Sequence, residues 1–367
     1  MKILLSGGGT GGHIYPAIAL AQEARRLFSD VEILYMGGRE RMESQIVPEA
    51  GIPFVGVTVK SLKKVVSVGA IGTAWSLFRG FLEARAELKK WRPDVAIGTG
   101  GYVAGASMMA AVSLRIPSII LAPDAAPGRT NRLVGKFAKQ ICLWLGDVDG
   151  SFPQGKTVRT GLPVRPEIRS GLSQSECRLK LGLEADRFTV LVIGGSQGAQ
   201  RLNEIVIEAL TELGDDVQVL HQTGPKNFED VQSQVGKVGE LKVSHVPMGY
   251  MDADQTPMAY RAADIIVCRS GVSTLAEATV NELPLLMVPL PTAYADHQTL
   301  NAKSIENSGA GIYLNQKTLT GQGLAEHIVS LKSNLAQYES MKAASLSVGR
   351  PEAARDILQI AMGLATK

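Results

Sequence analysis

The run Lys2-Ile3-Leu4-Leu5-Ser6, followed directly by Gly7-Gly8-Gly9-Thr10-Gly11-Gly12-His13, decides how this chain folds. The first five residues read as a short buried strand and the glycines as a turn. From Ile14 through Leu27, Ala17, Leu20, Ala21, Ala24 and Leu27 recur at helical spacing. A strand, a glycine turn and a helix open a doubly wound sheet. Strand-like runs recur at Val31–Met36, Pro53–Val57, Asp94–Gly98, Ser118–Leu121 and Gln140–Trp144, with helical stretches between most of them. That alternation specifies a mostly parallel sheet covered by helices on both faces.

After the polar, Gly- and Pro-containing segment Gly146–Pro166 the pattern restarts. Phe188–Ile193 is an apolar strand, Gly194-Gly195-Ser196-Gln197-Gly198 a second glycine turn, and Ala199–Leu213 a helix. Strands at Val217–Gln222, Ile265–Cys268 and Pro284–Val288 follow. The expected fold is α/β, with two tandem doubly wound, Rossmann-like domains over residues 1–162 and 163–349. The terminal helix Pro351–Leu364 could serve either domain; the expected assignment packs residues 350–367 back on the first.

Composition narrows the classes further. In 367 residues the apolar fraction is 45% and the charged fraction 20%, which excludes extended disorder and fibrous repeats. A net charge of +3 is too small to mark a nucleic-acid partner. Cys142, Cys177 and Cys268 lie far apart with no CxxC pair, against structural zinc and a disulfide framework, and point to a reducing compartment. The segment before Gly7 is too short for a signal peptide, and no apolar run reaches the roughly 18 residues that span a bilayer. A soluble chain, at most resting on a membrane surface, is expected.

The glycine turns carry the chemistry. Glycine lets a backbone approach a ligand, and a helix N-terminus presents unpaired N–H groups to anions. Gly7–Gly12 is not the G-x-G-x-x-G turn with an acidic residue closing the next strand: that strand ends in Gly37-Gly38-Arg39-Glu40, without the usual ribose-binding carboxylate. A nicotinamide oxidoreductase is thereby disfavoured. Gly98-Thr99-Gly100-Gly101-Tyr102 is a further cluster after a strand, and Gly194–Gly198 the third. Three such turns at strand ends provide three backbone cradles.

These strings resemble the MurG family of N-acetylglucosaminyltransferases, within the larger GT-B class. The resemblance rests on residues 7–13, on Gly-Gly-Tyr-Val (100–103), Gly-Gly-Ser-Gln-Gly-Ala (194–199) and Cys-Arg-Ser-Gly (268–271). Glu277 and Asp-His-Gln-Thr-Leu-Asn-Ala (296–302) complete it. It covers nearly the whole chain in the family's order. It implies a GT-B fold, two domains facing across a cleft, and inverting transfer of N-acetylglucosamine from UDP-GlcNAc to the C4 hydroxyl of an undecaprenyl-linked acceptor, lipid I. No cofactor or metal is implied.

The resemblance also implies roles. Thr10, Gly11, Gly12, Arg165, Gly195, Ser196, Gln197, Gly198, Ser273, Thr274, Glu277, His297 and Gln298 would serve the donor, and Gly100, Gly101, Tyr102 and Asp124 the acceptor. Met251 would read uracil through its backbone N–H and C=O. Glu277 would hold the ribose hydroxyls, since a carboxylate accepts from both; a solvated helix Glu is the competing reading. Ser196, Arg165 and the N–H groups of residues 195–198 would meet the leaving diphosphate. Ser273 or Thr274 can cap the helix after Gly271, and Asp296 the helix opened by His297. His13, at a helix N-terminus, is the first candidate base; its alternative is to hold the acceptor or the loop. Asp147-Val148-Asp149 and Asp252-Ala253-Asp254 read as loop carboxylates, not as a metal-binding D-x-D.

Three departures from the family pattern stand out. Leu121-Ala122-Pro123-Asp124 replaces the usual His-Glu-Gln-Asn, which makes Asp124 a second catalytic candidate, with turn capping as its alternative. Leu162 stands where the family carries Asn. Two extra residues separate Tyr250-Met251-Asp252 from the next helix. The altered acceptor side keeps open a related transferase that glycosylates diacylglycerol or another lipid; a non-catalytic nucleotide-sugar binder is the remaining alternative. Trp75, Phe78, Phe81 and Leu82 at helical spacing, near Lys60, Lys63, Lys64, Arg79, Lys89 and Lys90, fit either an anionic membrane surface or the core. The membrane reading implies a peripheral protein on the cytoplasmic face of the plasma membrane.

Overall fold

The computed structural model describes residues 1–59, 69–147, 150–195 and 198–366, with the side chains of 69–74 and 294 left out. The chain forms two units, residues 1–165 with 351–367, and 166–350.

The first unit runs β1 (Lys2–Gly7), α1 (Gly11–Leu27), β2 (Glu32–Gly38), α2 (Glu43–Glu49), β3 (Phe54–Val57) and α3 (Gly69–Trp91). It continues with β4 (Val95–Gly100), α4 (Gly101–Ser113), β5 (Ser118–Ala122), α5 (Arg129–Gly135), β6 (Gln140–Leu143) and β7 (Thr157–Arg159). Among the described residues these strands make a seven-stranded sheet of order β3-β2-β1-β4-β5-β6-β7, and every pairing is parallel. Its central strands are buried on both faces, which is why β1, β4 and β5 read as unbroken apolar or small-residue runs. One core layer joins Ile3 and Leu5 to Ile14, Ala17 and Ala21 of α1 and to Ile357, Leu358 and Ala361. The other joins Leu4 and Ala96 to Ala84 and Leu88 of α3, Val103 and Met108 of α4, and Val134 of α5.

The second unit contains α6 (Gln174–Lys180), β8 (Phe188–Ile193), α7 (Gln200–Leu210), β9 (Val217–Gln222), α8 (Phe228–Val238), β10 (Ser244–Met248) and α9 (Gln255–Ala262). Then follow β11 (Ile265–Cys268), α10 (Val272–Val280), β12 (Leu285–Met287), α11 (His297–Asn307), β13 (Gly311–Tyr313), α12 (Gly321–Ser333) and α13 (Leu335–Gly349). Its sheet is also parallel, in the order β10-β9-β8-β11-β12-β13. The last helix, α14 (Ala353–Ala365), packs on α1 in the first unit.

Both sheets reverse strand order beside their first strand. The first does so between β1 and β4, the second between β8 and β11. Ligands of open α/β sheets bind outside the strand ends at such a switch point. All three glycine turns, and Arg269-Ser270-Gly271, stand at these two places.

Candidate functional site

In the first unit the loops after β1 and β4 interlock. Thr99 donates its hydroxyl to the His13 carbonyl, and the Thr99 carbonyl meets His13 Nδ1 at 3.0 Å. A carbonyl only accepts, so Nδ1 carries the proton and Nε2 of neutral His13 holds the lone pair. That is the tautomer a general base requires. The second loop fits without spare room. A Cβ on Gly101, whose φ is +81°, would stand 2.1 Å from the Gly8 carbonyl oxygen, and one on Gly100 would stand 2.6 Å from His13 Nδ1. Tyr102 covers Gly9, and Arg41 stacks on its ring at 5.7 Å.

Beneath the first loop lie groups that sequence reading missed. Tyr35 donates its hydroxyl to the Gly7 carbonyl at 3.0 Å. Burial and the neighbouring Glu43 carboxylate raise the Tyr35 phenol well above its ordinary value, so it stays a donor. Glu43 is wholly buried and accepts from Gly9 N–H at 3.2 Å and Gly38 N–H at 3.0 Å. The doublet Gly37-Gly38 at the end of β2 was the available signal that something packs tightly there.

Thr10 is the N-cap of α1 without a side-chain cap bond, and Gly11 and Gly12 form its first turn. Asp124 is half-buried just beyond β5, and the nearby buried Asn131 donates to the Leu121 carbonyl at 2.9 Å. Leu162 is buried, and Arg165 lies over the Tyr15 ring at 4.8 Å. Asp147 accepts from the Ser151 and Phe152 N–H groups, and Asp252 from those of Asp254 and Gln255, so both carboxylates close turns. Asp149 lies outside the described residues.

In the second unit Gly195 and Gly198 have φ of +97° and +78°, and a Cβ on Gly198 would stand 2.2 Å from the Thr223 carbonyl oxygen. Ser196 and Gln197 lie outside the described residues. Below this loop runs a neutral polar chain. Asn203 donates its amide nitrogen to Thr223 O at 2.9 Å, which leaves its oxygen to accept from His221 Nε2–H at 3.1 Å. His221 Nδ1 then accepts from His245 Nε2–H at 3.3 Å. Burial lowers His221 to about 3, helped by His245, and lowers His245 to about 4.

Glu277 is half-buried, and the buried Tyr260 hydroxyl donates to it at 3.0 Å and orients its carboxylate. Ser273 and Thr274 sit in the first turn of α10, whose N-cap is Gly271 with no side-chain cap bond. The capping expected of them is therefore corrected: glycine holds the cap position and leaves the first N–H groups uncapped by side chains. Asp296 holds the N-cap position of α11 in a left-handed conformation, φ 54°, and its side chain makes no cap bond either. His297 opens α11, and Gln298 spends its amide oxygen on Leu290 N–H at 2.9 Å. Arg269 is buried against the carbonyls of Val288 and Pro289, and burial lowers it to about 10. Met251 departs from expectation. Its N–H donates to Gln222 and its C=O accepts from the Thr256 hydroxyl, both at 3.2 Å, so the fold itself engages both groups.

Along α3, Trp75, Phe78 and Leu82 are 67%, 51% and 49% exposed, whereas Phe81 packs partly against the core. Arg79, Lys89 and Lys90 lie on the same helix; Lys60, Lys63 and Lys64 lie outside the described residues. Among the described residues no helix is long and apolar enough to cross a membrane.

Two doubly wound sheets with glycine loops at both switch points define a nucleotide-sugar transferase fold of the GT-B kind. Residues 3–143 match the glycosyltransferase family 28 N-terminal domain and 189–357 its C-terminal domain. The chain belongs to glycosyltransferase family 28. It is 38% identical to the UDP-N-acetylglucosamine–N-acetylmuramyl-(pentapeptide) pyrophosphoryl-undecaprenol N-acetylglucosamine transferase of Desulforamulus reducens, over 98% of this chain and 97% of that one. It is 34% identical to the same-named transferase of Bacillus pumilus over the whole of both. The crystal structure of Acinetobacter baumannii MurG superposes with a TM-score of 0.78 at 25% identity, covering 99% of each chain. The calicheamicin glycosyltransferase CalG4 shares the fold, with a TM-score of 0.67 at 16% identity over 99% of this chain and 98% of that one.

Proposed function

We propose that this chain transfers N-acetylglucosamine from UDP-GlcNAc, with inversion, to the C4 hydroxyl of lipid I and so forms lipid II for peptidoglycan synthesis. The observation that carries the reading is the matched equipment of the two switch points. One holds His13 with its Nε2 lone pair set by Thr99, and the other holds Glu277 oriented by Tyr260. Full-length similarity to transferases named for this reaction supports the substrates.

In this reading His13 Nε2 takes the acceptor hydroxyl proton as the oxygen bonds to the anomeric carbon, and the C1–O bond to UDP breaks. Asp124 orients that hydroxyl, with Gly100, Gly101 and Tyr102 beside it. Charge gathering on the leaving diphosphate is met by the N–H groups of the third glycine loop and by Arg165, without a metal. Glu277 holds the ribose, with Ser273, Thr274, His297 and Gln298 along the rest of the donor. Met251 N–H reaches the base only after leaving Gln222, while its C=O keeps a second lone pair with which to accept. The exposed stripe of α3, with its cations, rests on the anionic cytoplasmic face of the plasma membrane.

A second reading has a specific observation behind it: Leu121 to Asp124 replace the expected acceptor segment, which favours a different lipid alcohol. UDP release is measured with UDP-GlcNAc or UDP-glucose against a lipid I analogue or diacylglycerol, with EDTA present. Turnover only with UDP-GlcNAc and lipid I is expected, and Glu277→Ala should raise the donor KM about ten- to a hundredfold. Turnover only with diacylglycerol selects the second reading, and none with any pair rejects both.

A further inference from the structure

Glu43 opens α2, outside every glycine loop, yet its carboxylate is wholly buried against the first of them. Its Oε2 accepts from Gly9 N–H and its Oε1 from Gly38 N–H. A Cβ on Gly8 would stand 2.4 Å from Oε1, and one on Gly37 2.7 Å from Cγ. The glycines of both segments are therefore shaped around this side chain. Gly9 precedes Thr10, whose carbonyl accepts from His13 N–H at 3.1 Å and Ile14 N–H at 3.2 Å and so starts the helix that carries His13. We propose that Glu43 is a positioning residue for the transfer reaction: it turns the Gly9 N–H inward, fixes the first loop and thereby aims His13. The proposal rests on the reading of His13 given above.

The same geometry says why a carboxylate is required. Two backbone N–H groups point at it, one at each oxygen, so both oxygens must accept. A carboxamide of equal size accepts at one atom and donates at the other, which sets two donors against each other and releases either Gly9 or Gly38. A buried, unsatisfied N–H is costly enough to re-form the loop locally. Gly9 also lies under Tyr102, so a shift there disturbs the second loop.

The test is a double-mutant cycle of Glu43→Gln with His13→Ala in the intact protein, with UDP-GlcNAc and a lipid I analogue as substrates. Glu43→Gln alone should lower kcat about ten- to a hundredfold, with the melting temperature lowered by no more than about 10 °C. In the His13→Ala background the same change should cost less than about threefold, because the two residues act through one route. An undiminished kcat in Glu43→Gln, or the same fall in both backgrounds, overturns the proposal. Wild-type turnover in His13→Ala overturns the assignment of His13, and with it the route through which Glu43 acts. Should Glu43→Gln fail to fold, Glu43→Asp, which keeps both acceptor oxygens but shortens their reach, enters the same cycle with the same outcomes.

Discussion

The first glycine loop sits on a buried carboxylate and a phenol, whereas the third sits on a chain of neutral groups, Asn203, His221 and His245. Both loops follow the first strand of a parallel sheet, and in sequence they echo each other. Their foundations differ in charge. Neutral groups would not repel the diphosphate proposed for the third loop, as a carboxylate would.

The contrast in packing can be broken first, because it predicts the largest effect. Gly101→Ala drives a methyl into the Gly8 backbone at positive φ, and should cost about 3–5 kcal/mol in urea melts. Gly195→Ala, at φ +97° with nothing within 4 Å of its Cβ, should cost only about 1–2 kcal/mol. Equal losses would remove the claim that Gly101 is pinned by the Gly8 backbone while Gly195 faces open space.

Acid sharpens the contrast in charge. His221 and His245 are held at about 3 and about 4 against an ordinary 6.5, so between those values the unfolded chain binds more protons than the fold. Their contribution is complete above pH 6.5 and is lost as pH falls toward 4, with a slope near pH 5 of roughly 2–3 kcal/mol per pH unit. Amide exchange in β9, corrected for its intrinsic rate, should show opening become easier from pH 7 to pH 5. An opening free energy that does not change with pH would mean the imidazoles are already charged in the fold.

Surface character divides the units more mildly. Trp75→Glu/Phe78→Glu should weaken binding to anionic vesicles about tenfold or more. Leu179→Glu/Leu335→Glu, at equally exposed but scattered sites of the second unit, should leave binding unchanged. Flotation of the two variants side by side decides it, and equal binding by both removes the α3 stripe as the membrane contact.

Most of the fold was legible because fully buried parallel strands leave uninterrupted apolar runs, several of them followed by glycine. The strands missed were those without such a run. Thr157–Arg159 and Gly311–Tyr313 have three residues each, and Ser244–Met248 is a half-buried edge strand that tolerates Pro247. Within the sites, residues belonging to local strings were found, and those arriving from elsewhere were not. Glu43 reaches the first loop from a different helix, and Gln222 reaches Met251 from a different strand. His221 and Asn203 look like isolated polar residues in apolar elements until the fold joins them. The cap assigned to Ser273 or Thr274 failed because Gly271 holds the N-cap of α10, and Asp296 holds that of α11 without a side-chain bond, which local sequence does not reveal.

The return of α14 to the first unit has a consequence for dissection and for descent. Residues 166–350 are contiguous, while their companion is written in two pieces that flank them. A fragment stopped at Arg165 would expose the surface of α1 that Ile357, Leu358 and Ala361 cover, so only the inner half can be excised cleanly. The arrangement has the form of one domain spliced into another just short of its last helix, and a truncation at the carboxyl end would strike the amino-terminal half.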